Sequence, residues 1–398
     1  MFVRCAATTQ AARLSRPLGT TTITRTSTTT SNGAVASRPL PVAAAESDAS
    51  LRPTIAVDCN GADLGPSEVA AGAAIAAARG ARMILFGPAD ELGAAVDGIE
   101  IVDATVSIAK SADPASAVRA HPDASIVQAA RAVAAGRAQA LVCAGGTGAA
   151  LAAGLFNIKR TRGVYRPALA LPLPLPGRNV TLLDVGANAA ARREHLVQFA
   201  FMGAALASTV LGVQRPCVGL LSNGEEAARG SALVVEANAE LAERAGAGNR
   251  AFEFAGNVEG GDVLDGAVDV VVTDGFTGNV ALKLIEATSQ TVLRAVRDAA
   301  LSSSRSKLGG ALLRPALGGF RAQVDPELQG GAYLLGLRRL GVVPHGRFSR
   351  IGFAEAILRA ERGAREDVVG KTERALAAAG ALRESPASAS AASLPPIA

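Results

Sequence analysis

The sequence predicts an α/β protein built on a mostly parallel sheet that helices cover on both faces. Three observations lead there. From Pro53 onward a short apolar run, a loop rich in Gly, Asp or Asn, and a longer helical pattern recur in that order. The runs are continuously apolar rather than alternating, as strands buried on both faces are. The chain has 398 residues, 49% of them hydrophobic and 19% charged, so it can bury a large core.

The first strand is Thr54–Asp58; its loop runs from Asn60 to Pro66, and Ser67 is placed to cap the helix that follows. The second clear strand, Ala140–Ala144, sits in an uncharged stretch from Ala138 to Ile158 that is long enough for a membrane span. Its interior reads instead as strand, glycine break and Ala-rich helix, with the loop GGTGA at Gly145–Ala149. Strands at Thr181–Val185, Val218–Ser222 and Val268–Thr273 lead into DVGAN (Asp184–Asn188), SNGEE (Ser222–Glu226) and DGFTGN (Asp274–Asn279). Ligands of open α/β sheets bind outside the carboxyl ends of the strands, and the four loops are expected at one edge of one sheet. Any one glycine loop reads more readily as a tight turn. Four together, each opening a helix, point to an anion or phosphoester site. No G-x-x-x-x-G-K-[ST] occurs and no G-x-G-x-x-G follows the first strand, which disfavours ATP and a dinucleotide.

Charge and composition exclude other classes. The formal charge is +5, but residues 1–52 hold six arginines against Glu46 and Asp48, so the body is near neutral. With no Trp and two Tyr, nucleic acid is not an expected partner. Cys5, Cys59, Cys143 and Cys217 form no C-x-x-C pair, and His121, His195 and His345 form no H-E-x-x-H; neither metal nor cofactor is expected. Residues 1–45 carry five Arg, no Lys, no acid and fourteen Ser or Thr, the composition of an organellar transit peptide. The Ser/Thr content favours a plastid over a mitochondrion. The folded body is expected over 53–375, with a low-complexity disordered tail over 376–398.

The stretch 292–324 differs from the rest. Arg294, Arg297, Arg305, Lys307, Arg314 and Arg321 stand against Asp298 alone, and Leu308, Leu312, Ala316 and Phe320 recur at helical spacing with Leu313 and Leu317 alongside. A basic amphipathic element on an anionic membrane surface fits this pattern, as does a surface hairpin packed on its own domain or on a second subunit. Gly309, Gly310, Pro315, Gly318 and Gly319 argue against a stable helix in solution.

Five blocks, DVGAN, EHLVQFA (Glu194–Ala200), GNVEG (Gly256–Gly260), DGFTGNVALK (Asp274–Lys283) and GGAYLLGL (Gly330–Leu337), occur in the order and approximate spacing of the PlsX-type phosphate acyltransferases, which the chain resembles over roughly 53–362. The resemblance implies a three-layer αβα fold, isocitrate/isopropylmalate dehydrogenase-like and phosphotransacetylase-like, with 292–324 projecting. It implies a homodimer at the membrane periphery that converts acyl-[acyl-carrier protein] and inorganic phosphate into acyl phosphate for phospholipid synthesis. Leu308, Leu312, Leu313, Leu317 and Phe320 match the membrane-facing segment. Gly146 stands where the pattern has asparagine, and the first loop reads DCNGAD (Asp58–Asp63) where two adjacent glycines are usual.

Attack of phosphate on a thioester needs an anion cradle, donors for the oxyanion and a group to handle a proton. Backbone amides and hydroxyls at Gly145, Gly146, Thr147, Gly148, Gly186, Gly275, Thr277 and Gly278 are the candidate cradle. Asn188 and Asn279 are candidates to hold carbonyl or phosphate oxygens, and His195, just after DVGAN, is the best titratable group. Asp184 and Asp274 are expected to orient loops or cap helices, and Cys143 to be a buried strand-end thiol. Of Glu225 and Glu226, whose side chains diverge on a helix, Glu225 is assigned to the site. Arg160, Arg162, Arg166, Arg192 and Arg193 lie beside these loops, either as surface charge or facing phosphate or an acidic carrier protein. Two other readings stay open: a phosphotransacetylase-like enzyme using acyl-CoA, and a non-catalytic relative that binds carrier protein or membrane and regulates a partner.

Overall fold

In the computed structural model residues 52–175, 178–246, 251–323 and 325–383 are described. The segment before Arg52, expected to be a transit peptide, and the tail from Glu384 lie outside them. The first half of the chain alternates strand and helix: β1 (Thr54–Asp58), α1 (Pro66–Ala78), β2 (Arg82–Gly87), α2 (Ala89–Leu92), β3 (Ile99–Asp103), α3 (Pro114–Ala120), α4 (Ser125–Ala134), β4 (Ala140–Cys143) and α5 (Thr147–Ala153), which runs on into a π-helical turn over Gly154–Ile158. Pro66 rather than Ser67 starts α1. The cap position is Gly65, with no side-chain cap, because a proline at the first helical position presets φ and needs no N–H partner.

A hairpin of β5 (Ala168–Leu175) and β6 (Arg178–Leu183) follows, then α6 (Arg193–Val210), β7 (Cys217–Leu221), α7 (Ala232–Gly246), β8 (Glu253–Val258), α8 (Gly260–Asp265) and β9 (Val270–Val272). Helix α6 is buried almost all round, with Phe199, Phe201 and Met202 in the core, so it lies inside the layer rather than on its surface. Two long helices, α9 (Gly275–Leu301) and α10 (Ser304–Gln323), precede the hairpin of β10 (Ala332–Leu335) and β11 (Leu340–Val343), and α11 (Arg350–Arg365) and α12 (Val368–Ala378) close the chain.

The eleven strands form one sheet in the order β3-β2-β1-β4-β11-β10-β5-β6-β9-β7-β8. One apolar layer packs α1, α6, α7, α11 and α12 on one face, and the other packs α3, α4, α5 and the start of α9 through Leu282 and Ile285. This is the expected three-layer architecture. The single edge expected for the four loops is not found. β3, β2, β1, β4 and β11 run parallel, but β5 pairs antiparallel with both β10 and β6, and β9, β7 and β8 then follow β6. The β10–β11 pair is antiparallel as well, which makes three reversals between β11 and β6, so the carboxyl ends of β1, β4 and β11 and those of β6, β9 and β7 face opposite edges. Neighbouring strands rotate by roughly 20°. Over the five steps from β4 to β9 the blocks turn by about 100° relative to each other, so these edges are not the far sides of a flat plane.

Two further expectations change. The folded body does not stop at 375: Leu376 is fully buried and Ala381 nearly so. The stretch around Pro315 is helical, with α10 continuing through it beside α9. One of its glycines has a packing reason, since a Cβ on Gly310 would lie 2.9 Å from that of Ala300.

Candidate active site

At the first edge the ends of β1, β4 and β11 interlock through three glycines. A Cβ on Gly61 would collide with the Ala144 carbonyl, and one on Gly145 would lie 2.7 Å from the Gly346 Cα. Gly145 also holds φ 92°, a conformation that favours glycine. Beneath them the buried Asp58 carboxylate accepts from the Ser125 hydroxyl at 2.6 Å and the Asn60 N–H at 3.3 Å. The Cys143 thiol lies 3.5 Å from the same carboxylate. Burial pushes the Asp58 carboxyl above its usual range, and burial and this neighbour push the thiol well above its own. Cys143 is therefore a protonated core thiol, not a nucleophile.

In GGTGA, the Gly145 N–H donates to the Cys143 carbonyl at 2.9 Å and the Thr147 N–H to the Gly145 carbonyl at 3.2 Å. The N–H groups of Gly146 and Gly148 have no acceptor among the described residues and remain open, and Thr147 and Gly148 are exposed. Gly146 packs closely: Ala109 Cα would lie 3.1 Å from a Cβ there, so the asparagine of the family pattern would need the Ala109 backbone to shift by a few tenths of an ångström. A hollow of 450 Å³ opens beside the loop, lined among others by Asn60, Ser107, Lys110, Ser111 and His121. Sequence reasoning did not assign Lys110 and Ser111 to a site. The available signal was a polar stretch between β3 and α3, directly after the DCNGAD loop in space.

At the second edge Asp184 is the organiser. Its fully buried carboxylate accepts from the N–H groups of Leu169 (3.0 Å), Gly186 (3.1 Å), Ala187 (3.0 Å) and Asn188 (2.8 Å), and from Asn188 Nδ2 at 2.8 Å. Burial raises its pKa while these donors pull the other way. DVGAN therefore wraps its own carboxylate, and the Gly186 N–H is committed there rather than to a ligand. Asn188 gives its second amide proton to the Pro167 carbonyl at 2.7 Å, so only its Oδ1 is left to face a substrate.

DGFTGN locks onto this loop. The Gly275 N–H donates to the Asn188 carbonyl at 2.8 Å, and a Cβ on Gly275 would lie 2.6 Å from that oxygen; a Cβ on Gly278 would overlap the Asp184 carbonyl. Asp274 caps α9, accepting the Thr277 N–H at 2.8 Å and the Thr277 hydroxyl at 2.7 Å. The Gly278 N–H is bonded to the Asp274 carbonyl at 2.9 Å. Gly275, Thr277 and Gly278 thus build the turn instead of cradling an anion. In the first turn of α9 only the Phe276 N–H lacks an acceptor among the described residues. The Asn279 amide makes no hydrogen bond there and sits against Gly186, with its Nδ2 3.9 Å from where a Gly186 Cβ would be.

His195 is 7% exposed and closes the start of α6, its Nδ1 accepting the Arg192 N–H at 3.1 Å. That bond places the ring proton on Nε2, and the ring packs between Tyr165 and Phe199. Desolvation lowers its pKa against the opposing pull of Glu194, with Arg166 and Arg192 adding to the lowering. His195 is accordingly a neutral donor through Nε2 rather than a base. Glu225 is exposed, and the SNGEE loop is held from below by Asn257, whose Nδ2 donates to the Glu226 carbonyl at 2.8 Å. The hydrogen bonds and close glycine contacts of the described residues join each edge's loops among themselves, and none joins GGTGA to DVGAN or DGFTGN. Among the described residues no three His, Cys, Asp or Glu gather where they could hold a metal ion.

Residues 53–371 match the model of a family described as "Fatty acid synthesis protein", and curated relatives named phosphate acyltransferase align along most of the chain. The chain belongs to this family, the PlsX-type phosphate acyltransferases. A phosphate acyltransferase of Staphylococcus epidermidis is 40% identical over 318 residues, covering 79% of this chain and 96% of that one. Another, from Geobacillus thermodenitrificans, is 41% identical over 326 residues, covering 79% and 96%. The fold is similar to that of the EutD phosphotransacetylase from Staphylococcus aureus (TM-score 0.51, 17% identity, 78% of this chain and 94% of that one). It is equally similar to a phosphotransacetylase from Streptococcus pyogenes (0.51, 16%, 80% and 98%). Of the family blocks of this phosphate acyltransferase relative, DVGAN and DGFTGN interlock at the second edge, GNVEG supplies the Asn257 that carries SNGEE, and EHLVQFA and GGAYLLGL lie on α6 and around β10.

Proposed function

We propose that the chain transfers an acyl group from acyl carrier protein to inorganic phosphate, supplying acyl phosphate to phospholipid synthesis. Family membership carries this reading. A phosphate oxygen forms the new C–O bond at the thioester carbonyl, the C–S bond breaks, and the departing sulfur takes up the proton that phosphate releases. The chain offers open donors for the anion and the developing oxyanion: the Gly146, Gly148 and Phe276 N–H groups, the Asn279 amide, the Thr147 hydroxyl and His195 Nε2. No covalent intermediate on the protein is needed, in keeping with the buried, protonated Cys143. The test is incubation with a long-chain acyl-[acyl-carrier protein] with and without phosphate. Phosphate-dependent release of carrier thiol with hydroxylamine-trappable acyl phosphate is expected. Turnover of acyl-CoA alone would move the assignment to a phosphotransacetylase, and a folded protein inert to both donors would move it to a regulatory binder.

Association with a membrane and with a second copy belongs to the same reading. Leu308, Leu312 and Leu313 are 67%, 76% and 59% exposed on α10 beside Arg305, Lys307 and Arg314, which supports peripheral binding to anionic lipid. The side chains of Leu317 and Phe320 lie outside the described residues. No helix among the described residues is long and apolar enough to cross a membrane. Phe276, Val280 and Leu284 form an exposed stripe one turn apart along α9, which supports coverage by a partner copy; sedimentation of the full chain is expected to give a dimer. The composition of the first 45 residues supports import into an organelle, a plastid ahead of a mitochondrion, and N-terminal sequencing of the native protein is expected to start near Leu51.

A further inference from the structure

We propose that the loop 159–166 and the β10–β11 turn form the docking surface for the acidic carrier protein, an inference that rests on the function proposed above. The patch comes from two segments without any acid: no Asp or Glu lies between Asp123 and Asp184, nor between Glu327 and Glu355. Backbone bonds weld the two. The Thr161 N–H donates to the Gly336 carbonyl at 3.0 Å, the Arg338 N–H to the Lys159 carbonyl at 3.0 Å, and the Thr161 hydroxyl to the Leu337 carbonyl at 2.9 Å. Gly336, at φ 85°, lets the turn approach Pro167. Lys159, Arg160, Arg162, Arg166, Arg338 and Arg339 are all exposed on this frame. None forms an ion pair among the described residues, whereas Arg79, Arg137, Arg193, Arg244 and Arg350 each do.

These six cations, without an ion-pair partner among the described residues, repel one another, a cost that an anionic partner removes; Arg160 is partly committed, its guanidinium donating to the Val164 and Tyr165 carbonyls. Their place tells which partner. The Pro167 carbonyl, next to Arg166, accepts from Asn188, and the ring of Tyr165 faces His195, so whatever docks here lies against the DVGAN loop. A protein that presents its thioester to that loop must rest on this border. A bilayer is the poorer fit, because the apolar residues of the patch, Ile158, Val164 and Leu337, are buried at 4%, 3% and 0% exposure, and the nearby Phe156, 42% exposed, is covered by the Arg119 guanidinium.

The test uses the full chain, fluorescently labelled holo carrier protein, and the variants Arg338→Glu/Arg339→Glu and Arg162→Glu. Arg215→Glu serves as control, since Arg215 is exposed before β7, at the edge away from DVGAN. The double variant is expected to weaken carrier binding by about tenfold, to raise KM for acyl carrier protein in proportion, and to leave kcat within about twofold. Wild-type binding should weaken with salt. Arg162→Glu gives an independent reading should the double variant fail to fold. Carrier affinity unchanged in both variants, an equal loss with Arg215→Glu, or loss of anionic-vesicle binding in place of carrier binding would overturn the proposal. The two readings fail separately: carrier binding through the patch without phosphate-dependent turnover sinks only the proposed reaction, and turnover indifferent to the patch sinks only the docking surface.

Discussion

His195 shows how a residue named correctly from sequence acquires a different task from its surroundings. With Nδ1 accepting the Arg192 N–H, it can donate from Nε2 but has no lone pair free for a proton. His195→Ala is therefore expected to lower kcat by roughly 100-fold, while His195→Gln, whose amide can offer an N–H near the same place, recovers part of it. Full recovery is not expected, and equal loss in both variants would argue for acid–base work instead. The depressed pKa also makes a stability prediction. In the unfolded chain the imidazole takes its proton near pH 6.5; in the fold it does so only at lower pH. As pH falls below that ordinary value the unfolded state binds the extra proton and wild-type stability drops, until the folded pKa is passed. Melting curves of His195→Gln should lack this component of acid sensitivity. The glycines carry a second expectation: Gly278→Ala, forced against the Asp184 carbonyl, should destabilise by about 1–3 kcal/mol in urea unfolding. Asp184, Asp274 and Cys143 were legible as structural residues from their strand-end positions. That the amides of Gly186, Gly275 and Gly278 are committed within the protein was not, because sequence shows where an N–H is and not what it meets.

At the scale of elements, the five strands followed by polar loops were legible because each is a short, continuously apolar run. Strand β5, and with it the hairpin to β6, was not, since Pro172 and Pro174 mark a stretch that does not read as an interior strand. The register explains how β5 tolerates them: β10 pairs only with Ala168–Ala170, so both prolines fall where β5 has β6 as its single neighbour. Helix α10 shows the opposite discrepancy, a helix where propensity argues for a break. It packs chiefly on α9, and its exposed leucines find no protein cover among the described residues. A bilayer would supply the missing apolar surface. Leu308→Glu/Leu312→Glu is therefore expected to abolish flotation with anionic liposomes while the melting temperature stays within about 2 °C, as surface substitutions do. Retained flotation would remove α10 as the anchor and return it to the hairpin reading.

For the whole molecule, local patterns could not report that one sheet contains two parallel blocks of opposite direction, because that follows from three antiparallel pairings, β11 with β10, β10 with β5 and β5 with β6, and of these strands sequence found only β6. Nor could they place the end of the fold, since Ala-rich α12 shades into a low-complexity tail. The structure makes the chain's last described residues a tie between distant parts. Gln198 on α6 donates to the Ala381 carbonyl at 2.7 Å and to the Gly163 carbonyl at 2.9 Å, and the Arg383 N–H also reaches Gly163 at 2.8 Å. Arg244 on α7 holds the Ala379 carbonyl at 2.8 Å, and Leu376 is fully buried. A chain ended after Ala375 loses that leucine from the core, a loss of about 2–5 kcal/mol, and leaves the Gln198 amide short of a buried acceptor, about 1–3 kcal/mol more. It should melt well below the full chain. Because Gly163 lies in the loop that carries Arg162 and sets Tyr165 against His195, carrier affinity and turnover should fall with it. A chain ended after Arg383 keeps every one of these contacts and is expected to match the full chain in both measurements; equal melting of the two truncations would show that the closing segment contributes nothing to the fold.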